Sequence, residues 1–168
     1  MKETASKSQV LTARLVVVLI IAFIVVGAVW YGFSTEVRQR VWENLVNRPG
    51  GPMTFRIILQ PIMAAVAALR DGLNDAKLGR TPYLWALFTN PSERAGLLLE
   101  GLISTARIIL LGLAMDVIYQ AIVLKTFYPG EAVIVALALA FLPYLLLRGP
   151  IARIAHRWRR EGVSDEIR

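Results

Sequence analysis

The chain has 168 residues, of which 56% are hydrophobic and 18% are charged, and its formal net charge at pH 7 is +7. Soluble domains average about 45–50% apolar and about 25% charged residues, so this composition argues against a soluble domain and predicts an integral membrane protein. The sequence contains no cysteine, which excludes disulfides, thiolate metal sites and cysteine nucleophiles. Positive charge in a membrane protein is more typical of cytoplasmic loops than of nucleic-acid binding, and no nucleic-acid partner is predicted.

The first apolar segment, at about residues 15–33, follows a basic leader that contains Lys2, Lys7 and Arg14. Runs of about 18 or more apolar residues are typical of membrane-spanning helices. A cleaved signal peptide has the same general pattern. However, this run continues through Trp30 and its aromatic neighbours, as the aromatic belt of a membrane span does. We therefore expect an uncleaved membrane anchor.

A polar connection follows the first span. Residues 35–45 place Val37, Val41 and Leu45 at spacings of four residues, which predicts a short helix with one apolar face at the membrane surface. The sequence RPGGP at 48–52 ends this element.

The second apolar segment, at about residues 55–70, supports two interpretations. Its apolar core is 13 residues long and is interrupted by Gln60 and Pro61. Cores of 10–14 residues are short for a span and are also found in re-entrant or interfacial segments. Pro61 suits the first position of a helix, and a helix from there to Gly79 has an apolar stripe of Ile62, Val66, Leu69 and Leu73. We favour a span and keep the re-entrant alternative open.

The next two elements are a short aromatic helix and a long apolar one. Tyr83, Trp85 and Phe88 have helical spacing, which predicts a short helix in the lipid headgroup layer. The sequence NPSE then predicts a helix start with Asn90 as the N-cap. The apolar part of this helix predicts a span at about residues 97–124.

The last span is predicted at residues 131–147. Pro143 lies inside it and removes one backbone donor. We therefore expect the helix to bend at Pro143 or to break before Arg148.

Residues 148–168 are predicted to form a basic cytoplasmic tail. Basic clusters beside a span attract anionic lipid headgroups. The predicted headgroup contacts are Arg148, Arg153, Arg157, Trp158, Arg159 and Arg160.

The distribution of lysine and arginine predicts the orientation. With four spans, the leader, the 70–97 connection and the tail share one side and carry 13 of these residues, against five on the other side. With a re-entrant second segment the numbers are 14 and four, and the N-terminus moves to the outside. Both arrangements place the C-terminus in the cytoplasm, and the side of the N-terminus stays open.

Two opposite charges, Arg107 and Asp116, lie within the apolar run 97–124. They are nine residues apart, which places them on opposite faces of a helix, so they do not pair with each other. Arg107 is expected to extend to the membrane surface or to pair with Glu100, two turns earlier on nearly the same face. Glu100 and Arg107 therefore belong to the candidate polar site.

Asp116 is the strongest functional candidate, because an acid inside the membrane is costly to bury and is often functional. Gln120 lies one turn away on the same face. If the second segment spans, it runs antiparallel to this helix and places Arg56 at the level of Asp116, with Gln60 as the alternative donor. The site has two interpretations: a hydrogen-bonded acid that fixes the helix register, or a group that handles ions or protons.

The sequence contains no pattern that indicates an enzyme. The single histidine, His156, lies in the basic tail, and the motifs of metalloproteases, serine hydrolases and nucleotide-binding proteins are absent. The sequence therefore predicts no catalytic residue, no metal site and no cofactor.

The sequences FYPGEA at 127–132 and PYLLLRGP at 143–150 resemble segments of small inner-membrane proteins of proteobacteria. The resemblance implies a bacterial inner membrane and a shared helical architecture. It implies no activity.

These observations predict a single all-α domain over residues 1–168, with three to four transmembrane helices and short interfacial helices. We expect a non-enzymatic accessory subunit or assembly factor that binds another membrane protein or a second copy of itself. The alternative is a small transporter or channel, built as a homo-oligomer around Asp116.

Overall fold

The computed structural model describes residues 6–32, 35–47 and 54–166, with side chains through Trp158 except at 44, 45 and 47. Within these ranges all regular structure is helical. The predicted end of the first span at Phe33 and the RPGGP sequence lie outside the described residues. The elements are α1 (Lys7–Tyr31), α2 (Thr35–Asn47), α3 (Phe55–Lys77), α4 (Tyr83–Thr89), α5 (Arg94–Tyr119), a π-helical turn (Gln120–Leu124), α6 (Pro129–Ala136), a second π-helical turn (Leu137–Phe141) and α7 (Leu142–Glu166).

Helices α3 and α5 run in opposite directions. Arg56, at the start of α3, contacts Asp116 near the end of α5, and Gln60 lies against Gly112 one turn further along. The helix formed by α6 and α7 runs parallel to α3, because Asp71 and Asp75 contact Tyr144 and Arg148 respectively. Helix α3 therefore reaches from one end of the bundle to the other.

Helix α1 runs alongside α5. The hydroxyl of Tyr31, at the end of α1, donates to the carbonyl of Phe127 at 2.9 Å, just after α5 ends. Gly27 of α1 lies close to Gly130 of α6, where a Cβ would be 3.0 Å from the Gly130 nitrogen. The bundle is thus a four-helix, up-and-down arrangement of α1, α3, α5 and the combined α6–α7.

Three helical stretches are long and apolar enough to cross a membrane: Lys7–Tyr31, Arg94–Leu124 and Pro129–Trp158. Helix α3 does not meet this criterion, although its 23 residues are about 35 Å long at 1.5 Å per residue. It is one continuous helix with its ends at opposite ends of the bundle. The spanning interpretation of the second segment stays a prediction.

Helix α3 has its large apolar side chains on the outside and its polar and small ones on the inside. The predicted stripe of Ile62, Val66, Leu69 and Leu73 is exposed, with Val66 63% accessible. The buried face carries Arg56, Gln60, Ala64, Ala68, Gly72 and Asp75. Small residues on this face let helices approach closely. At Gly72, a Cβ would lie 2.9 Å from the Arg148 carbonyl oxygen, so the α3–α7 packing requires glycine there.

Two predicted helix starts are wrong. Pro61 lies inside α3, which begins at Phe55. Asn90 does not cap α5, because α5 begins at Arg94 and the amide of Glu93 donates to the Asn90 carbonyl at 3.2 Å in a preceding turn. In that turn the Glu93 amide has a backbone partner, and no side chain caps the start of α5.

The predicted break before Arg148 is also wrong. The helix continues through Arg148 to Glu166. The distortion lies directly before Pro143, in the π-helical turn Leu137–Phe141, where the amide of Leu142 donates to the Leu137 carbonyl. Pro143 lacks an amide hydrogen and its ring crowds the preceding turn. A wider turn directly before the proline relieves that crowding and keeps the helix continuous.

Candidate functional site

The candidate site that the sequence predicts lies at the end of the bundle where α3 begins and α5 ends. We call Arg56, Gln60, Asp116 and Gln120 the Asp116 cluster, and all four side chains are buried. The Arg56 Nη2 group donates to Asp116 Oδ1 in an ion pair. Arg56 is the partner that an antiparallel second segment predicts for Asp116. A function for this pair stays a prediction.

Gln120 connects the Asp116 carboxylate to the start of α6. Its Nε2 group donates to Asp116 Oδ2 at 2.6 Å and to the Tyr128 carbonyl at 3.1 Å. Its Oε1 atom accepts from the Tyr128 amide at 2.6 Å. The side-chain amide of Gln120 therefore connects α5 to α6, and Asp116 connects it to α3 through Arg56.

Gln60 does not take the predicted role of alternative donor to Asp116. Its side chain is fully buried, yet neither Nε2 nor Oε1 has a hydrogen-bond partner among the described residues, and the same holds for Arg56 Nη1. Gln60 packs against Gly112, where a Cβ would collide with Nε2. The hydrogen-bonding capacity of Gln60 and Arg56 is therefore not fully used among the described residues. Unpaired buried polar groups of this kind are costly.

A second ion pair lies at the same end of the bundle and connects α2 to α6. The Arg40 Nε group donates to Glu131 Oε1 at 3.0 Å. The Arg40 guanidinium also lies over the rings of Tyr128 and Tyr31, at 4.0 Å and 5.2 Å from their centroids. These cation–π contacts place α2 against the end of the bundle. Glu131 follows Pro129 in the first turn of α6, and no sequence pattern predicted this pair.

Arg107 and Glu100 do not belong to the Asp116 cluster. Arg107 is exposed on α5, on the opposite side from buried Asp116. The predicted pairing of Arg107 with Glu100 is wrong, because Glu100 contacts Arg148 and Arg80 instead. Helix α7 lies close to α5, so Arg148 reaches Glu100 in addition to Arg80.

A larger and mostly buried polar cluster, in which Glu100 is partly exposed, lies at the opposite end of the bundle. We call Asp71, Asp75, Glu100, Tyr144 and Arg148 the Arg148 cluster. Arg148 is 1% exposed and donates from Nε and Nη2 to the two oxygens of Asp75 at 2.7 and 2.9 Å. It also contacts Glu100 and the Tyr144 hydroxyl, which in turn donates to Asp71 at 2.7 Å. The prediction that Arg148 contacts lipid headgroups is therefore wrong.

Helix α4 covers the Arg148 cluster with an aromatic ring. The Tyr83 ring lies 4.2 Å from the Arg148 guanidinium carbon, and its hydroxyl donates to the Leu97 carbonyl. Tyr83 is buried, while Trp85 and Phe88 of the same helix are exposed, and the predicted headgroup position of α4 stays a prediction. Burial, opposed in part by the charge of Arg148, raises the pKa of Tyr83 to about 12.

The sequence contains a signal for the Arg148 cluster. Asp71 and Asp75 are four residues apart, as are Tyr144 and Arg148, so each pair lies on one face of its helix. The equal spacings allow the two pairs to meet across one helix interface, and the contacts of Asp71 with Tyr144 and of Asp75 with Arg148 show that the helices run parallel. This signal is visible only once α3 is accepted as a full-length helix.

The remaining predicted headgroup residues lie beyond Arg148 on α7. Arg153, Arg157 and Trp158 are exposed. The side chains of Arg159 and Arg160 lie outside the described part of the structure. Headgroup contact by these residues stays a prediction.

The carboxylates of the Arg148 cluster are all paired within the chain. Each carboxylate of the Arg148 cluster has an arginine or a tyrosine hydroxyl as a partner. No group of three or more potential metal ligands occurs among the described residues.

Comparison with known proteins gives no match to a protein-family model, to a curated protein or to a solved structure.

Proposed function

We propose that the chain is a multi-pass integral protein of a bacterial inner membrane. The observation that carries this proposal is α3, whose exposed face is apolar and whose buried face is polar. A helix in water has the opposite arrangement. In lipid, polar groups turn inward and pair while large apolar side chains face the hydrocarbon. The three other apolar helices support the same environment.

The proposed orientation places both termini in the cytoplasm. If α3 spans, the chain crosses the membrane four times, and the side with 13 lysines and arginines faces the cytoplasm by the positive-inside rule. A reporter fused after Arg168 is expected to report a cytoplasmic location. A cysteine placed at Gly50 in this cysteine-free chain is expected to react with an impermeant reagent from outside. A periplasmic C-terminus or a protected residue 50 would contradict the orientation.

Within that membrane, we propose a non-enzymatic role as an accessory subunit or assembly factor. The candidate acid, Asp116, is held by Arg56 and Gln120 of the same chain, which supports a structural role for the acid. Arg107 is exposed within the apolar stretch Arg94–Leu124 and has no charged partner among the described residues. An exposed arginine in a span supports a protein neighbour on that face of α5.

The alternative is a small transporter or channel formed by several copies around Asp116. The unpaired atoms of Gln60 and Arg56 next to Asp116 favour this alternative, because incompletely satisfied buried groups occur where a protein binds or moves something. Mass measurement and crosslinking of the detergent-extracted complex separate the two candidates. A different protein bound at a fixed ratio supports the subunit. A closed homo-oligomer with Asp116 at its axis supports the transporter.

Two substitutions of Asp116 test its role directly. Asp116→Asn keeps the shape and hydrogen-bonding capacity and removes the charge, whereas Asp116→Leu removes both. A structural role predicts assembly of the Asn variant close to that of the wild type and clear loss for Leu. An Asn variant that assembles normally but no longer supports growth or transport would favour ion handling.

A further inference from the structure

Two shallow grooves meet on the surface between α4 and α7, at the end of the bundle that contains the Arg148 cluster. Each has a volume of about 270 Å³. They share Pro82 and Arg153 as lining residues. Ligand pockets typically hold about 300–1,000 Å³. Each groove alone is therefore smaller than a typical ligand pocket, and the two adjoin at Pro82 and Arg153.

The two grooves differ in the charge of the residues that line them. The first is lined mainly by apolar side chains, including Leu84, Trp85, Phe88, Leu146 and Pro150. The second is lined by Arg80, Pro82, Ala152, Arg153, His156 and Arg157. Along α7 the change takes place within 11 residues, or about 16 Å at 1.5 Å per residue. A ligand that fills both grooves has an apolar part and an anionic part.

The positive charge of the second groove is available to a ligand. Arg148 is not part of it, since Asp75 and Glu100 already neutralise that guanidinium. Arg80 is partly compensated, at 3.3 Å from Asp75 and 3.5 Å from Glu100. Arg153 and Arg157 are exposed and make no ion pair within the described ranges. They are four residues apart, so both guanidinium groups lie on one face of α7.

We propose that these joined grooves bind one anionic phospholipid. The phosphate lies between Arg153 and Arg157 with Arg80 beside it, and an acyl chain follows the apolar groove past Trp85 toward Leu146. Arginine is suited to this role because its planar donors match phosphate oxygens. The inference rests on the proposed membrane location. It is more specific than a general attraction of the basic tail, because it assigns the lipid to one surface.

Trp85 provides a local probe of the site, since it lines the apolar groove and is 59% exposed. Replacing Trp30, Trp42 and Trp158 by phenylalanine leaves Trp85 as the only tryptophan. This protein is reconstituted in vesicles of phosphatidylcholine that contain increasing fractions of lipid with brominated acyl chains, carried by either phosphatidylglycerol or phosphatidylcholine. Each basic residue near an anionic lipid contributes roughly fivefold in affinity. Half-maximal quenching of Trp85 is therefore expected at a fraction of brominated phosphatidylglycerol that is about one fifth, or less, of the fraction of brominated phosphatidylcholine that gives the same quenching.

The double variant Arg153→Gln/Arg157→Gln is expected to abolish this preference. The matched control, Lys7→Gln/Lys77→Gln, removes two exposed charges at the same end of the bundle and is expected to retain it. Equal quenching by both lipids in the parent protein, a preference that survives in the double variant, or one that is lost in the control would each overturn the proposal. Loss of the preference on adding inorganic phosphate would assign the groove to a free anion instead of a lipid.

Failure of the underlying membrane proposal has a different signature. In that case the protein leaves the vesicles during an alkaline carbonate wash, and neither brominated lipid quenches Trp85. That result would overturn both proposals together. Quenching by both lipids to the same extent, with the protein retained in the vesicles, overturns the lipid site alone.

Discussion

The Arg148 cluster and the Asp116 cluster each contain a buried arginine that pairs with a buried aspartate, yet the two are satisfied to very different degrees. Arg148 donates to two carboxylates and a tyrosine hydroxyl contributed by three helices. Arg56 donates to Asp116, and its Nη1 group has no partner among the described residues. Gln60, beside Arg56, is likewise unpaired there.

This difference separates a packing role from a binding role. A fully paired buried arginine stabilises one arrangement of its helices, because any shift leaves charges unpaired. A cluster with spare donors and acceptors tolerates the arrival of another polar group. The Arg148 cluster therefore has the properties of a clamp, whereas the unpaired atoms beside Asp116 are the feature that favours the transporter alternative.

The largest expected effect is that of Arg148→Gln. The substitution leaves Asp75, which is 2% exposed, without its bidentate partner. Removing one member of a buried ion pair costs about 3–5 kcal/mol, so we expect a large fall in the thermal unfolding temperature of the detergent-solubilised protein. Lys77→Gln, an exposed charge on the neighbouring helix, is the control and should have little effect. Equal stability of the two variants would show that the clamp is not stabilising.

Double substitutions compare the connectivity of the two clusters. Arg56→Leu and Asp116→Leu are each expected to destabilise the protein by about 3 kcal/mol, and the double variant should lose less than the sum, because it removes both charges together. Arg148→Leu/Asp75→Leu is expected to recover less, since Glu100 and Tyr144 still lose their partner, whereas Gln120 keeps its hydrogen bonds to Tyr128 when Asp116 is lost. Double-mutant cycles based on thermal unfolding measure both coupling energies. Equal recovery in the two cycles would contradict the difference in connectivity.

Much of this fold follows from the sequence, because the three longest apolar runs predict the three long apolar helices. The contact between Arg56 and Asp116 could also be predicted, since an acid inside an apolar run is conspicuous and an antiparallel neighbour places Arg56 at its level. Gln120 follows from its position one turn after Asp116. These predictions needed only helical periodicity and helix direction.

The Arg148 cluster could not be predicted in the same way. Its charged members lie at the ends of apolar segments, where charges normally meet water or lipid headgroups. The close packing of α3 against α7, as at Gly72 and the Arg148 carbonyl, brings Asp75 and Arg148 together. The face of α3 that packs inward was equally hidden, because its exposed stripe of large apolar residues has the spacing of a helix that faces a core.

Two smaller substitutions should have effects of opposite sign. Gln60→Met replaces an amide that has no partner within the described structure by an apolar group of similar size, so we expect unchanged or increased stability, by up to about 1 kcal/mol. Tyr144→Phe removes a hydroxyl that accepts from Arg148 and donates to Asp71, and should cost about 1–2 kcal/mol. Thermal unfolding of both variants in one detergent tests this. A clear loss in Gln60→Met would show that its amide has a partner that the contacts of the single chain do not reveal.

The smallest expected effect concerns Tyr83 at high pH. Its pKa is raised by burial to about 12, whereas an unfolded tyrosine titrates near pH 10. The unfolded chain therefore loses this proton before the folded protein does. The stability linked to Tyr83 is present in full below pH 10 and is lost as the pH rises through 12. Tyr83→Phe has no such proton, so its unfolding temperature should fall less between pH 9 and pH 11.5 than that of the wild type. Because Tyr83 covers Arg148 and not the Asp116 cluster, hydrogen exchange in that interval should rise first in α4 and in the Leu97 turn of α5. Parallel pH dependences in the two proteins would show that Tyr83 is already titrating near pH 10 in the folded state and that the aromatic cover over the clamp is open to water.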